Sequence, residues 1–180
     1  TPTSSGLGTS GAMNLIWLAL ISQIKPTKKI PTKTKLKFAE DVYKIEQAMG
    51  LVGGKQDQYA SAFGGINFIE FKRDNVKLEQ LKLSKNFIKK LENKLVLVYT
   101  GKPHFSGNTN KLMIENLKRD KNTKNLLAIK NIAIQMKNAL KRQDIYKFAN
   151  LMNEETNERK KLHKDIVGKQ SQDIIKKGME

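Results

Sequence analysis

The chain has 180 residues, enough for a domain with a hydrophobic core, and 38% of them are hydrophobic. It contains no cysteine, which excludes disulfide bonds and thiolate chemistry. The net charge of +17 favours anionic partners, but the lysines are scattered from Lys25 to Lys177 and no aromatic residues alternate with them, so we expect no nucleic-acid surface.

The first predicted helix follows a stretch rich in Ser, Thr and Gly, PTSSGLGTSGAMN at residues 2–14. It is predicted to begin near Thr9 or Ser10 and to end near residue 24, because Pro26 cannot continue it. Its apolar run at 15–21 is too short for a membrane span and follows no basic segment, so we expect a cytoplasmic protein without membrane contact. Since a helix N-terminus favours an anion, the stretch indicates either a phosphate-binding loop or an ordinary linker before a Ser/Thr cap.

The second predicted helix, at 34–49, carries an acid among apolar residues. Glu46 shares a helical face with Val42 and Met49, which predicts that it faces inward. A buried carboxylate is costly unless it is paired or bound to a metal. Glu46 is therefore predicted to be a Mg²⁺ ligand, a partner of Lys55, or more exposed than the pattern indicates.

A second polar, glycine-rich loop is predicted at 50–67, with Asp57 between two glutamines. An aspartate in such a loop can accept a proton from a hydroxyl group, and Lys55 would keep it ionised. The alternative interpretation is a surface turn without a chemical role.

Three strands are predicted after this loop, at 66–71, 76–83 and 95–99. A third polar loop at 100–110 offers groups that can bind a sugar, although His104 can equally be an exposed side chain without a role. Helices are predicted at 108–119, 122–142, 144–163 and 168–179. Strands in the middle and helices at the end indicate an α+β fold.

These loops together resemble the motifs of the GHMP kinase superfamily. The sequence PTSSGLGTSGA at 2–12 is similar to its phosphate loop, with Ser4 and Thr9 departing from the usual Gly and Ser. The sequence GGKQDQYASAFGGINFIEF at 53–71 looks like the sugar-kinase branch that includes the D-glycero-D-manno-heptose 7-phosphate kinases. The resemblance continues through LVLVYTGKPHFSGNTN at 95–110, where relatives usually carry Arg in place of His104, which leaves the sugar open.

The resemblance implies a kinase that uses ATP and Mg²⁺ to phosphorylate a hydroxyl of a sugar or sugar phosphate. Asp57 and Lys55 would be catalytic, and Ser10 and Glu46 would hold the metal. The residues implied at the ATP phosphates are Ser5, Gly6, Leu7, Gly8, Thr9, Ser10 and Gly11. Those implied at the substrate are Gln56, Gln58, Tyr59, Gly65, Thr100, His104 and Ser106. A galactokinase-like or fucokinase-like enzyme and a nucleotide-binding chain without catalysis are the alternatives.

The same resemblance implies a GHMP kinase-like fold. Residues 1–100 would belong to the N-terminal domain, which is similar to domain 2 of ribosomal protein S5, and residues 101–180 to the helix-rich C-terminal domain. The family carries a sheet before the phosphate loop and a glycine-rich motif after the last helices. We therefore expect this chain to be an internal fragment that lacks both ends.

Overall fold

The computed structural model describes residues 6–23, 30–51, 53–73, 75–101, 114–115, 123–163 and 166–179. The chain divides into two compact units, residues 1–81 and 82–180. The first contains helices α1 (Thr9–Ile21), α2 (Thr32–Ala48) and α3 (Gln56–Phe63) and strands β1 (Asn67–Lys72) and β2 (Asn75–Gln80). The second contains α4 (Lys85–Glu92), α5 (Thr123–Lys141), α6 (Ile145–Leu162) and α7 (Lys169–Lys177). Over these ranges the chain is helix-rich with a two-stranded sheet, consistent with the predicted α+β class.

The three helices of the first unit pack against one another. Their buried apolar residues are Leu15, Ala39, Val42 and Tyr59. Gly11 on α1 is also buried, and a Cβ there would lie 3.5 Å from the Asp57 Cβ and 3.5 Å from the Gln58 backbone nitrogen. Since these residues belong to the first turns of α1 and α3, the two helices approach closely at their N-terminal ends.

Helix α3 lies inside the segment that the sequence predicts as a polar loop. Its eight residues, QDQYASAF, bury Gln58 and Tyr59. It ends at Gly64 and Gly65, whose φ values of +64° and +68° lie in the left-handed region that favours glycine. The glycines therefore mark the end of a short helix, and the prediction of a continuous loop at 50–67 is wrong over 56–63.

Strands β1 and β2 form an antiparallel hairpin that follows α3. Phe71 pairs with Val76 in the register, and its ring meets the Tyr59 ring edge-on at 5.5 Å between centroids. This aromatic contact connects the hairpin to α3. The strands predicted at 66–71 and 76–83 are confirmed, although the second one ends at Gln80 rather than at residue 83.

The second unit is built on the packing of α5 against α6. Ile132, Ala139 and Leu151 form its buried cluster. Asp144 caps α6, because its carboxylate accepts a hydrogen bond from the Lys147 backbone N–H at 2.9 Å. The helices predicted at 122–142, 144–163 and 168–179 are confirmed to within a few residues.

The predicted strand at 95–99 is wrong. These residues adopt no regular structure, and each of them is more than half exposed. In the described part of the chain no strand pairs with them, and an apolar run forms a strand only where a neighbour completes its hydrogen bonds. Helix α4, which the sequence does not predict, lies just before them and begins at Lys85, after the N-cap residue Ser84.

Some predictions concern residues that lie partly or wholly outside the described ranges. The helix predicted at 108–119 is described only at 114–115, where the chain is helical. Ser5, His104 and Ser106 lie outside the described residues. Among the helices that are described, none is long and apolar enough to cross a membrane.

Candidate active site

The site begins at the N-terminal end of α1, where two glycines adopt left-handed backbone conformations. Gly6 has φ +75° and Gly8 has φ +66°, and Gly8 is the residue that precedes the first helical turn. A glycine at this position supplies no side chain to cap the backbone N–H groups of that turn. Thr9 and Ser10 are exposed. The first turn of α1 therefore offers N–H groups, hydroxyl groups and the positive end of a helix dipole to an anion.

Asp57 lies directly against this end of α1. A Cβ added to Gly8 would be 3.3 Å from both the Cβ and the Cγ of Asp57. Asp57 is exposed, and no described residue donates a hydrogen bond to its carboxylate. It belongs to the first turn of α3, where the helix dipole stabilises a negative charge. An accessible carboxylate thus lies beside the N-terminal end of α1.

Glu46 lies behind these residues, in a junction of α1, α2 and α3. It is 8% exposed, which confirms that it faces inward. Its Oε1 accepts a hydrogen bond from Asn14 Nδ2 at 3.0 Å, and its Oε2 accepts one from Gln58 Nε2. Of the alternatives that the sequence left open, the pairing with Lys55 is wrong and so is high exposure.

Lys55 pairs with Glu40 instead. Its ammonium nitrogen lies 2.8 Å and 3.0 Å from the two carboxylate oxygens of Glu40 and 4.7 Å from the centre of the Tyr43 ring. The Tyr59 hydroxyl donates a further hydrogen bond to Glu40 Oε2 at 2.9 Å. The expectation that Lys55 keeps Asp57 ionised is therefore not met, because its ammonium group already neutralises Glu40.

This cluster shifts the pKa of two of its members. Burial by itself would raise the pKa of the Glu40 carboxyl, but the hydrogen bonds from Lys55 and Tyr59 and the charge of Lys55 outweigh it and hold the pKa below its ordinary value. Burial, and then the adjacent Glu40 carboxylate, raise the pKa of the Tyr59 hydroxyl well above its ordinary value. Glu40 is therefore charged and Tyr59 neutral at physiological pH.

The structure distributes the predicted substrate residues between surface and interior. Gln56 and Gly65 are exposed, whereas Gln58 and Tyr59 are only 3% and 2% exposed and bond to Glu46 and Glu40. Thr100 is half-buried in the second unit. Burial thus gives Gln58 and Tyr59 a supporting position behind the surface on which Asp57 lies.

Sequence reasoning missed two residues of this region, Glu40 and Asn14. Glu40 follows the buried Ala39 on α2, and nothing in that pattern indicates that it pairs with a lysine 15 residues later. Asn14 did carry a signal, because it is a polar residue inside the otherwise apolar run AMNLIWLAL of α1. A lone amide at such a position indicates a buried hydrogen-bond partner.

Ser10 and Glu46, the residues implied to hold the metal, both carry oxygen atoms, which are the ligands that Mg²⁺ takes. Ser10 and Asn14 are four residues apart on α1, so Ser10 lies one turn nearer to Gly8 on the helix face that reaches Glu46. Mg²⁺ is usually bound by one or two protein oxygens together with water and phosphate oxygens. Among the described residues there is no cluster of three or more His, Cys, Asp or Glu, so a metal bound entirely by such side chains is not indicated there.

Comparison with known proteins gives one informative result. No protein-family model matches the chain. The chain is 32% identical over 168 residues to a Campylobacter jejuni protein named D-glycero-alpha-D-manno-heptose 7-phosphate kinase. The match covers 92% of this chain and 48% of that protein, so the chain spans about half the length of the curated relative it matches.

Proposed function

We propose that this chain carries the phosphate-binding and catalytic part of an ATP-dependent kinase that phosphorylates a hydroxyl of a sugar or sugar phosphate. The observation that carries the proposal is the placement of the accessible Asp57 carboxylate against Gly8, at the uncapped N-terminal end of α1. The similarity to a protein named as a heptose 7-phosphate kinase covers 92% of this chain. It supports a phosphorylated heptose or a related sugar phosphate as the acceptor.

In the proposed reaction, α1 binds the phosphates of ATP and α3 presents the base. The backbone N–H groups of the first turn of α1 hold the β- and γ-phosphates. Leu7, Thr9 and Ser10 belong to the same phosphate-binding segment. The acceptor hydroxyl lies between Asp57 and the γ-phosphorus. As its oxygen bonds to phosphorus, the bond from phosphorus to the bridging oxygen of ATP breaks, and the hydroxyl proton passes to Asp57.

The residues around this centre support it. Ser10 and Glu46 would hold Mg²⁺, which supplies positive charge that neutralises the phosphates. Lys55 acts by holding the start of α3 to α2 through its ion pair with Glu40. Gln56 and Gly65, which are exposed at the two ends of α3, are available to the sugar.

Asp57→Asn tests the proposal most directly. The substitution preserves shape and removes the base, so we expect phosphate transfer to fall by about 10²–10⁴-fold while nucleotide affinity changes little. Nucleotide binding is measured by calorimetry, and transfer by the release of ADP with heptose 7-phosphate and a panel of other sugars. The matched control is Asp173→Asn on α7, which should retain the parent rate. Parent-like turnover by Asp57→Asn would refute the assigned base, and failure of the parent protein to bind ATP would refute the function.

A further inference from the structure

The Glu46 carboxylate is held in an unusual way for a buried acid. It is the one buried acidic side chain among the described residues, and both of its hydrogen-bond donors are neutral amides. In that part of the chain no Lys, Arg or His lies within salt-bridge distance of it, and Lys55 is directed to Glu40. Amide donors satisfy the carboxylate oxygens but leave its full negative charge in place. A buried charge of this kind is stabilised when a cation joins it.

Within the described part of the chain, the Gln58 side chain satisfies the Glu46 carboxylate but leaves its own amide oxygen unsatisfied. Its Nε2 donates to Glu46, while its Oε1 is buried and accepts no hydrogen bond from any residue that the structure describes. An apolar side chain of the same length would fill this space without leaving an oxygen unsatisfied. The amide of Gln58 is therefore explained by the hydrogen bond that it donates to Glu46, and not by the packing of its side chain.

The two amides also come from the two helices that meet at the site. Asn14 belongs to α1, one helical turn after Ser10, and Gln58 directly follows Asp57 on α3. The single carboxylate of Glu46 thus joins the helix that would bind phosphate to the helix that carries the base. A rotation of the Glu46 side chain would break at least one of these hydrogen bonds.

We propose that Asn14 and Gln58 are positioning residues that orient the Glu46 carboxylate toward the divalent cation of the metal–nucleotide complex. This inference rests on the proposed function and adds to it a shell of neutral amides behind the metal ligand. Outer partners of this kind are expected to change metal affinity about 10–100-fold when they are removed.

The experiment uses Mn²⁺ as the probe, with a non-hydrolysable ATP analogue and the intact protein. Asn14→Leu and Gln58→Met remove one donor each and keep a side chain of similar shape, and Mn²⁺ affinity is read by electron paramagnetic resonance. We expect each variant to bind Mn²⁺ about 10–100-fold more weakly. Affinity for the analogue without metal should be unchanged. The matched control is Asn125→Leu, which removes an amide-to-carboxylate hydrogen bond of 2.8 Å to Glu158 in the second unit and should leave Mn²⁺ binding unchanged.

Two further measurements separate positioning from folding. Gln58→Asn keeps an amide but withdraws it from Glu46, so it should fold like the parent and still lose Mn²⁺ affinity. In the double variant with Glu46→Gln, Asn14→Leu should cause no additional loss, because it acts only through Glu46. Parent-like Mn²⁺ affinity in folded variants would overturn the positioning role while leaving the kinase proposal intact. Absence of Mn²⁺–nucleotide binding in the parent protein would overturn both.

Discussion

At the scale of single residues, the site depends on a glycine that leaves room for a carboxylate. Gly8 combines a left-handed backbone with a neighbour 3.3 Å from where its Cβ would be. Either feature alone disfavours a larger residue, and together they link the turn before α1 to the position of Asp57. A substitution here therefore affects both the fold and the proposed chemistry.

Gly8→Ala should destabilise the protein and weaken transfer at the same time. The left-handed conformation costs a residue with a Cβ about 1–2 kcal/mol, and the new methyl group would displace Asp57. Urea denaturation and the transfer rate measure the two effects. Gly168→Ala is the control, because Gly168 also precedes a helix but has φ −58° and no atom within 4 Å of an added Cβ. Equal stability of the two variants would contradict the argument.

The Glu40 carboxylate should make stability depend on acidic pH. Its pKa in the folded protein lies below 4.5, so its contribution is present above pH 4.5 and is lost as the pH falls through the folded value. The difference in unfolding free energy between the parent and Glu40→Gln should accordingly shrink in acid. Denaturation at neutral and acidic pH measures it. Glu154→Gln, at an exposed position of α6, is the control for general acid effects, and a difference that stays constant with pH would contradict the assignment.

At the scale of elements, α3 is held by two carboxylates of α2. Glu40 bonds to Lys55 and Tyr59, just before and within α3, and Glu46 bonds to Gln58. An eight-residue helix is too short to be stable by itself. Its orientation, and with it the position of Asp57, is therefore set by these polar contacts and by the ring of Tyr59 against Phe71.

Tyr59→Phe should weaken the attachment of α3 to α2 without creating a cavity. The hydroxyl donates to a charged group, so its loss is expected to cost about 1.5–3 kcal/mol of unfolding free energy. Tyr43→Phe is the matched control on the same cluster, since Lys55 contacts the face of the Tyr43 ring and that face is kept. Thermal or urea unfolding compares them, and an equal loss in both variants would argue against the hydrogen bond as the cause.

The same element shows where sequence reasoning succeeds and fails. Long helices such as α2, α5 and α6 were predictable, because their apolar residues recur at helical spacing and caps such as Asp144 mark their ends. Helix α3 was not, because its eight residues hold only a turn or two of pattern between glycines. The strand prediction at 95–99 is wrong for the opposite reason. The local strand pattern there is strong, but no described strand pairs with it. The ion pair of Lys55 with Glu40 depends on how α2 meets α3, which no local pattern records.

At the scale of the whole molecule, the chain is strongly basic, and a small set of acids has separate roles. The net charge is +17, yet the three acids that organise the site in the first unit lie in three different environments. Glu40 is neutralised by Lys55, Glu46 is held by two amides, and Asp57 is left accessible. A uniformly basic surface would attract a nucleotide without orienting it, whereas these three environments give the proposed cation and the proposed proton acceptor separate positions.

This arrangement predicts a joint requirement for metal and nucleotide in stabilising the fold. In the proposed complex, ATP would add negative charge beside Asp57 and Mg²⁺ would offset the charge of both ATP and Glu46, so neither should bind well alone. Saturation at about 100 times the Kd should add about 2.7 kcal/mol to the folded state. A thermal melt of the intact protein should therefore shift upward with Mg²⁺ and ATP together and little with either one.

Glu46→Gln should abolish most of the shift and Asp57→Asn should retain it, because only the first removes a proposed ligand. An equal shift with ATP alone would show that the phosphates bind without the cation, and the role given to Glu46 would then be wrong.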